Sequence, residues 1–230
     1  MNLHIIQYNL TIRYQRIVFT ILPLMYIVGF IGLQIPATKP YFQELSAFNL
    51  WVSVILLLFF HQGFNRSFIS FCIICFGVGY GIEVVGVHTG LIFGSYWYGQ
   101  TLGTKVAEVP IVIGANWLLL VYCSGIVMHQ ITNRYKIHPL AQKAVQALGI
   151  GVIMTSLDYL IEPIAIQLDF WQWQYNTIPQ ANFNAWFVVA TCLGYYFATS
   201  SFKKENKLAF LLLFLQIIFF VAHTTAFYFK

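Results

Sequence analysis

Glu83, Glu108, Asp158, Glu162 and Asp169 are five of only seven acidic residues in a chain of 230, and all lie in or beside stretches apolar enough to span a bilayer. A carboxylate is expensive in hydrocarbon, so acids in such places point to chemistry or transport. Asp158 and Glu162 stand four residues apart and share one face of a helix. Two carboxyl groups this close in low dielectric cannot both ionise cheaply, so one keeps its proton near neutral pH. Protonation of an alkene or an ether requires such an acid. Pro163 follows directly, removes a backbone donor and is expected to open the helix beside the pair. The bland alternative is that one acid is a buried structural hydrogen-bond partner.

Glu83 lies near the end of an apolar stretch that contains Gly77, Gly79 and Gly81. Gly77 and Gly81 form a small-xxx-small pair that would let a second backbone approach closely. No strand precedes this run, so it is not a dinucleotide fingerprint. A structural alternative pairs Glu83 with His88 or an amide. Glu108 precedes Val109 and Pro110 and reads as the opening of the fourth span, where an acid beside a proline is also an ordinary helix start. Asp169 reads more weakly, as an interfacial loop acid.

Tyr96, Trp97, Tyr98, Trp117, Trp171, Trp173, Tyr175 and Trp186 crowd the same region, with Asn116, Asn182 and Asn184 among them. Such aromatics form interfacial belts, but their faces also stabilise cations. The amides can hold a water or orient a carboxylate.

These residues need elements to hold them, and composition says which. The chain is 59% hydrophobic, 18% aromatic and 8% charged, which excludes an ordinary soluble domain and a disordered chain alike. Seven stretches, near 17–35, 47–62, 68–87, 109–129, 144–168, 184–202 and 208–229, approach or exceed the length that crosses a core of roughly 30 Å as a helix. The expected fold is an all-α, polytopic integral membrane bundle of about seven transmembrane helices, one domain over 1–230. The connections 88–108 and 169–183 are rich in aromatics, Gly and amides and read as re-entrant or interfacial loops.

Orientation follows from the basic residues. With the N-terminus in the cytoplasm, Arg13, Arg16, Arg66, Arg134, Lys136, Lys143, Lys203, Lys204 and Lys207 are cytoplasmic, and Lys39, Lys105 and Lys230 are not. That is a positive-inside bias, so the net charge of +5 reads as an orientation signal and not as a nucleic-acid footprint. The start of the chain lacks the pattern of a removable signal peptide. His4, His61, His88, His129, His138 and His223 are scattered, without metal-ligand spacing. Cys72 and Cys75 sit within an apolar span and read as core packing, and Cys123 and Cys192 give no disulfide framework.

At these motifs the chain resembles the membrane carotenoid-biosynthesis family of bisanhydrobacterioruberin and gamma-carotene hydratases. The resemblance runs through Glu83-x-x-Gly86-x-x-Thr89-Gly90, Phe93-Gly94-x-Tyr96-x-Tyr98, Leu102-Gly103, Val109-Pro110 and Trp117. It resumes at Asp158, Glu162-Pro163, Trp171-x-Trp173, Ile178-Pro179, Asn182-Phe183 and Trp186, covering about 80–190. It implies a cofactor-independent hydratase of the hydro-lyase type, adding water to the terminal C1–C2 double bond of an acyclic carotenoid end to give a tertiary alcohol. The catalytic candidates are Glu83, Asp158, Glu162 and Glu108. The candidates to bind substrate are Tyr96, Tyr98, Trp117, Trp171, Trp173, Asn182 and Trp186, with no metal or cofactor. The expected site is the non-cytoplasmic end of spans three to six, in the cell (inner) membrane. The expected partners are carotenoid drawn from the bilayer, membrane lipids and other carotenoid-pathway enzymes, with no nucleic acid.

Three rivals share some of these features. A lycopene-type cyclase would begin with the same protonation but exclude water from its quench. A proton-coupled transporter would also bury acids. A retinal protein would need a Schiff-base lysine within the last span, which offers only Lys207 before it and Lys230 at its end. Reporter fusions after Lys105 and after Lys204 are expected to report opposite sides of the membrane; the same side for both would refute the seven-span topology.

Overall fold

The computed structural model describes residues 3–136 and 138–228, with side chains over 14–136 and 138–227. Seven helices run α1 Leu3–Gln34, α2 Lys39–Phe59, α3 Arg66–Thr89, α4 Val112–Thr132, α5 Pro139–Gln167, α6 Gln180–Thr199 and α7 Lys207–Tyr228. Six of them are long and apolar enough to cross a membrane. The exception, α6, carries Gln180, Asn182 and Asn184 in its first two turns. It packs along α5, the most extensive helix pair among the described residues, and ends beside the α2–α3 connection, where Asn65 meets Ser201.

Local signals explain the boundaries. Asn65 caps α3 by accepting the amide N–H of Phe68 at 2.8 Å, and Gly90 ends that helix in the left-handed region at φ +66°. Pro40 occupies the first turn of α2, so that helix begins eight residues before the 47 expected from hydropathy; Gln43 and Glu44 mask its start. The fourth span also begins later than expected. Lys105–Val106 (β2) and Val109–Pro110 (β3) form a two-stranded hairpin, so Glu108 does not open α4. It sits in the hairpin turn, where Ala107 and Glu108 both have positive φ, as a two-residue turn of this hand demands. Pro163 does not open α5 either: the helix continues to Gln167, at the cost of one bond to the Tyr159 carbonyl.

α4 is the central helix and packs against α2, α3, α5, α6 and α7. At one end, Asn65 donates to the Ser201 carbonyl and Lys203 to Gln62, joining the α2–α3 and α6–α7 connections. At the other end, Lys39 donates to the Gln167 carbonyl. Arg134, Lys203 and Lys204 in connections, with Arg66 and Lys143 near the starts of α3 and α5, thus lie at one end, opposite Lys39 and Lys105. Lys230 and the side chains of His4 and Arg13 lie outside the described residues.

The two aromatic connections pair with each other. Tyr96–Tyr98 (β1) runs antiparallel to Trp171–Trp173 (β4), with Tyr96 opposite Trp173 and Tyr98 opposite Trp171. Side chains alternate across a strand, so these four rings share one face of the ladder.

Close helix approach comes from a different glycine than the small-xxx-small pattern suggests. A Cβ at Gly77 or Gly81 would meet nothing within 4 Å, whereas one at Gly79 would collide with the Trp117 side chain. Gly79 therefore faces α4, and Gly77 faces outward. Gly79→Leu is expected to push α3 off α4 and destabilise the bundle by about 1–3 kcal/mol. Its melting temperature in detergent should fall, while Gly77→Leu should melt as the unaltered protein does.

Candidate functional site

Three carboxyl groups lie buried where α3, α4, α5 and α6 meet the β1–β4 ladder. Glu83, on α3, is 4% exposed; Asp158 and Glu162, on α5, are 0% and 1% exposed. Their spacing of four puts both α5 acids on the face that packs against α6. Among the described residues none of the three forms an ion pair. Neutral donors meet all but one of their oxygens instead.

Glu83 Oε2 accepts the hydroxyls of Tyr96 at 2.5 Å and Tyr98 at 2.8 Å, and its Oε1 accepts the indole N–H of Trp117 at 3.0 Å. Glu162 Oε2 accepts the indole N–H groups of Trp171 at 3.0 Å and Trp173 at 2.7 Å. The Asn182 amide then joins the α5 pair, donating to Asp158 Oδ2 at 2.8 Å and to Glu162 Oε1 at 3.0 Å. Asp158 Oδ1 is buried and has no partner among the described residues. His88, the structural alternative for Glu83, faces its own helix and contacts the Val84 carbonyl.

The ladder explains why these donors arrive together. Tyr96 and Tyr98 alternate with exposed Trp97, and Trp171 and Trp173 alternate with Gln172. One strand thus aims two phenols at α3 while its partner aims two indoles at α5. Asp169, at positive φ, accepts the Gln100 amide N–H at 3.0 Å, and the Gly99 N–H reaches the Phe170 carbonyl at 3.0 Å. Asp169 thereby ties one loop to the other. Burial first, and then the Glu83 carboxylate, push the Tyr96 and Tyr98 phenols above the usual tyrosine range. Both remain donors under alkaline conditions. The stability they confer is complete below a pH of about 10 and is lost progressively as pH rises from there through the higher folded value.

Glu83 and Glu162 face a common cavity of about 20 Å³, also lined by Tyr96, Tyr98, Trp117, Trp171, Trp173, Asn182 and Trp186. All seven residues singled out in the sequence for substrate binding therefore stand around one space, which has room for about one water. Trp117 and Trp186 stack with centroids 4.3 Å apart, and Tyr96 leans on Trp173 at 5.0 Å. Phe93, Ile113 and Asn116 complete the lining. Ile113 had no sequence signal, being one aliphatic among many.

Glu108, Asn184, Trp97 and Tyr175 do not join this cluster. Glu108 is exposed in the hairpin turn, Asn184 is exposed and pairs with Gln180, and Tyr175 is 85% exposed. Among the described residues no three His, Cys, Asp or Glu side chains converge as a metal site would require. Cys72, Cys75, Cys123 and Cys192 are free thiols.

The family described as "Carotenoid biosynthesis protein" matches residues 45–230. The chain is also similar to the bisanhydrobacterioruberin hydratase of Haloarcula japonica, at 30% identity over 112 residues. That stretch covers 46% of this chain and 36% of the relative, so the chain spans little more than a third of the length of the protein it matches. No solved structure matches.

Proposed function

The chain belongs to the family of carotenoid biosynthesis proteins, and from that premise we propose that it adds water to the terminal C1–C2 double bond of an acyclic carotenoid end. The observation that carries this reading is a set of three buried acids held by neutral donors, two of which, Glu83 and Glu162, face a space the size of a water. Alkene hydration asks for an acid, a shielded cation and a positioned water, and each has a counterpart among these residues.

The Asp158/Glu162 pair is the proton store. Asn182 donates one N–H to each carboxyl, and Asp158 Oδ1, without a partner among the described residues, is free to carry a hydrogen. Glu162 is the member that reaches the cavity, so the proton leaves toward C2 from its side. Positive charge then develops at C1, the more substituted carbon, where the walls of Trp117, Trp173 and Trp186 can stabilise it. Glu83 accepts from three donors, an arrangement suited to a carboxylate. It orients the water, whose oxygen bonds to C1, and takes the released proton. One proton leaves the pair and one arrives on Glu83, so the product is the substrate plus one water. Passing that proton back restores the site.

In this reading the protein lies in the cell (inner) membrane with its N-terminus in the cytoplasm and draws carotenoid from the bilayer, beside other enzymes of the same pathway. Glu108 has no part in the proton path.

Two measurements test the reading. Glu83→Gln and Asp158→Asn keep shape but remove an ionisable proton, and loss of general acid–base catalysis typically costs about 100- to 10,000-fold. Both variants should insert normally yet make almost no product in a lycopene-producing host; full activity in both would exclude this site. Product formed in oxygen-18 water should carry the label, with activity persisting without oxygen and with chelator. Label from oxygen gas would mean an oxygenase, and a product of unchanged mass would mean cyclisation.

A further inference from the structure

A second and larger cavity, about 270 Å³, lies on the other side of the site, between α1, α2, α4, α5 and α7. Its inner end is made by Ile113, Asn116 and Trp171, which also line the small cavity of the acids. The two spaces are therefore separated by a partition one side chain thick. Trp171 belongs to both, with its indole N–H already on Glu162. At the outer end the lining residues Val28, Leu45 and Phe48 are 53%, 49% and 59% exposed. They sit on the lipid-facing sides of α1 and α2. Val28 stands six residues inside the end of the apolar span of α1, about 9 Å along the helix axis, so a bilayer matched to that span would meet this mouth with acyl chains.

We propose that this groove is the entry and holding site for the acyclic polyene, with its mouth between α1 and α2 and with Asn116 and Trp171 as the gate to the acids. The inference rests on the hydratase reading and adds the route, whose mouth lies on the α1–α2 side. Three features commit the groove to this occupant. Its wall is mainly apolar, it opens within the bilayer, and it ends at the carboxyl groups. Its volume of about 270 Å³ falls just below the roughly 300–1,000 Å³ that encloses a drug-sized ligand. It accepts an end segment, and the rest of a long polyene stays in the lipid. An end ring would need to pass Asn116 and Trp171 broadside, so the gate selects linear ends. The small cavity holds only about one water, so the terminal carbons enter by movement of Trp171 or Asn116.

Gly29 offers a clean test. It lines the groove, and a Cβ there would meet only Phe219, at 4.0 Å. Gly29→Phe therefore fills the groove without a backbone clash, and Leu45→Trp narrows the exposed rim should the first variant fail to insert. Gly77→Phe, on an outward face with open space around it, is the matched control. The full chain would be placed in nanodiscs with lycopene, measuring pigment retained per protein and hydrated product formed. Gly29→Phe and Leu45→Trp should each lower both readings at least 10-fold, and Gly77→Phe should change neither. Unaltered pigment retention in both filled variants would overturn the groove, as would a wild-type protein that retains phospholipid and no pigment. Gly29-dependent retention without any hydrated product would instead overturn the hydratase reading and leave the groove standing.

Discussion

Three carboxyl groups in a low-dielectric setting without a cation beside them form the constraint on which the rest of this structure depends. Burying a charge or an unsatisfied polar group is costly unless hydrogen bonds replace its water. A salt bridge would meet the need but would hold the acid in its charged form. Phenols, indoles and one amide meet it here, and they leave a proton free to come and go. Arg66, Lys105 and Lys203 lie instead in connections or at a helix end.

Supplying those donors dictates the architecture around them. Tyr96, Tyr98, Trp171 and Trp173 reach inward together because two short strands from distant connections share a register. That register is anchored by Asp169 on the Gln100 amide and by the Gly99 N–H on the Phe170 carbonyl. Trp117 reaches Glu83 because Gly79 clears the space for it between α3 and α4. Packing and polar satisfaction are the same residues at this point. A change at Gly79 therefore reaches the acid without touching it.

The donors also have second duties. Trp117, Trp173 and Trp186 are walls of the acid cavity as well as packing partners, and Trp171 faces two cavities while bonding Glu162. One indole thus fixes a carboxyl group, screens it from lipid and stands where a polyene end would arrive. Such sharing lets few residues build an acid site inside a membrane bundle.

The sequence by itself determined the helical membrane class, because apolar stretches of bilayer length leave no other way to satisfy the backbone. It also pointed to Glu83, Asp158 and Glu162, since acids within such stretches stand out against their surroundings. Asp158 and Glu162 could even be placed on one face, because helical spacing is local. Only the tertiary structure decided which acid met which donor. The β1–β4 register joins residues more than seventy positions apart, and no periodicity within either three-residue strand encodes its partner, although Tyr-x-Tyr and Trp-x-Trp share a spacing of two. It likewise separated Glu108 from the other acids by turning Val109 and Pro110 into a strand, a choice that depends on pairing with Lys105 and Val106. It chose Gly79 over Gly77 and Gly81 because the direction a glycine faces depends on where the neighbouring helix stands. Local chemistry is written in residue types and spacing; long-range pairing emerges only when the chain has packed.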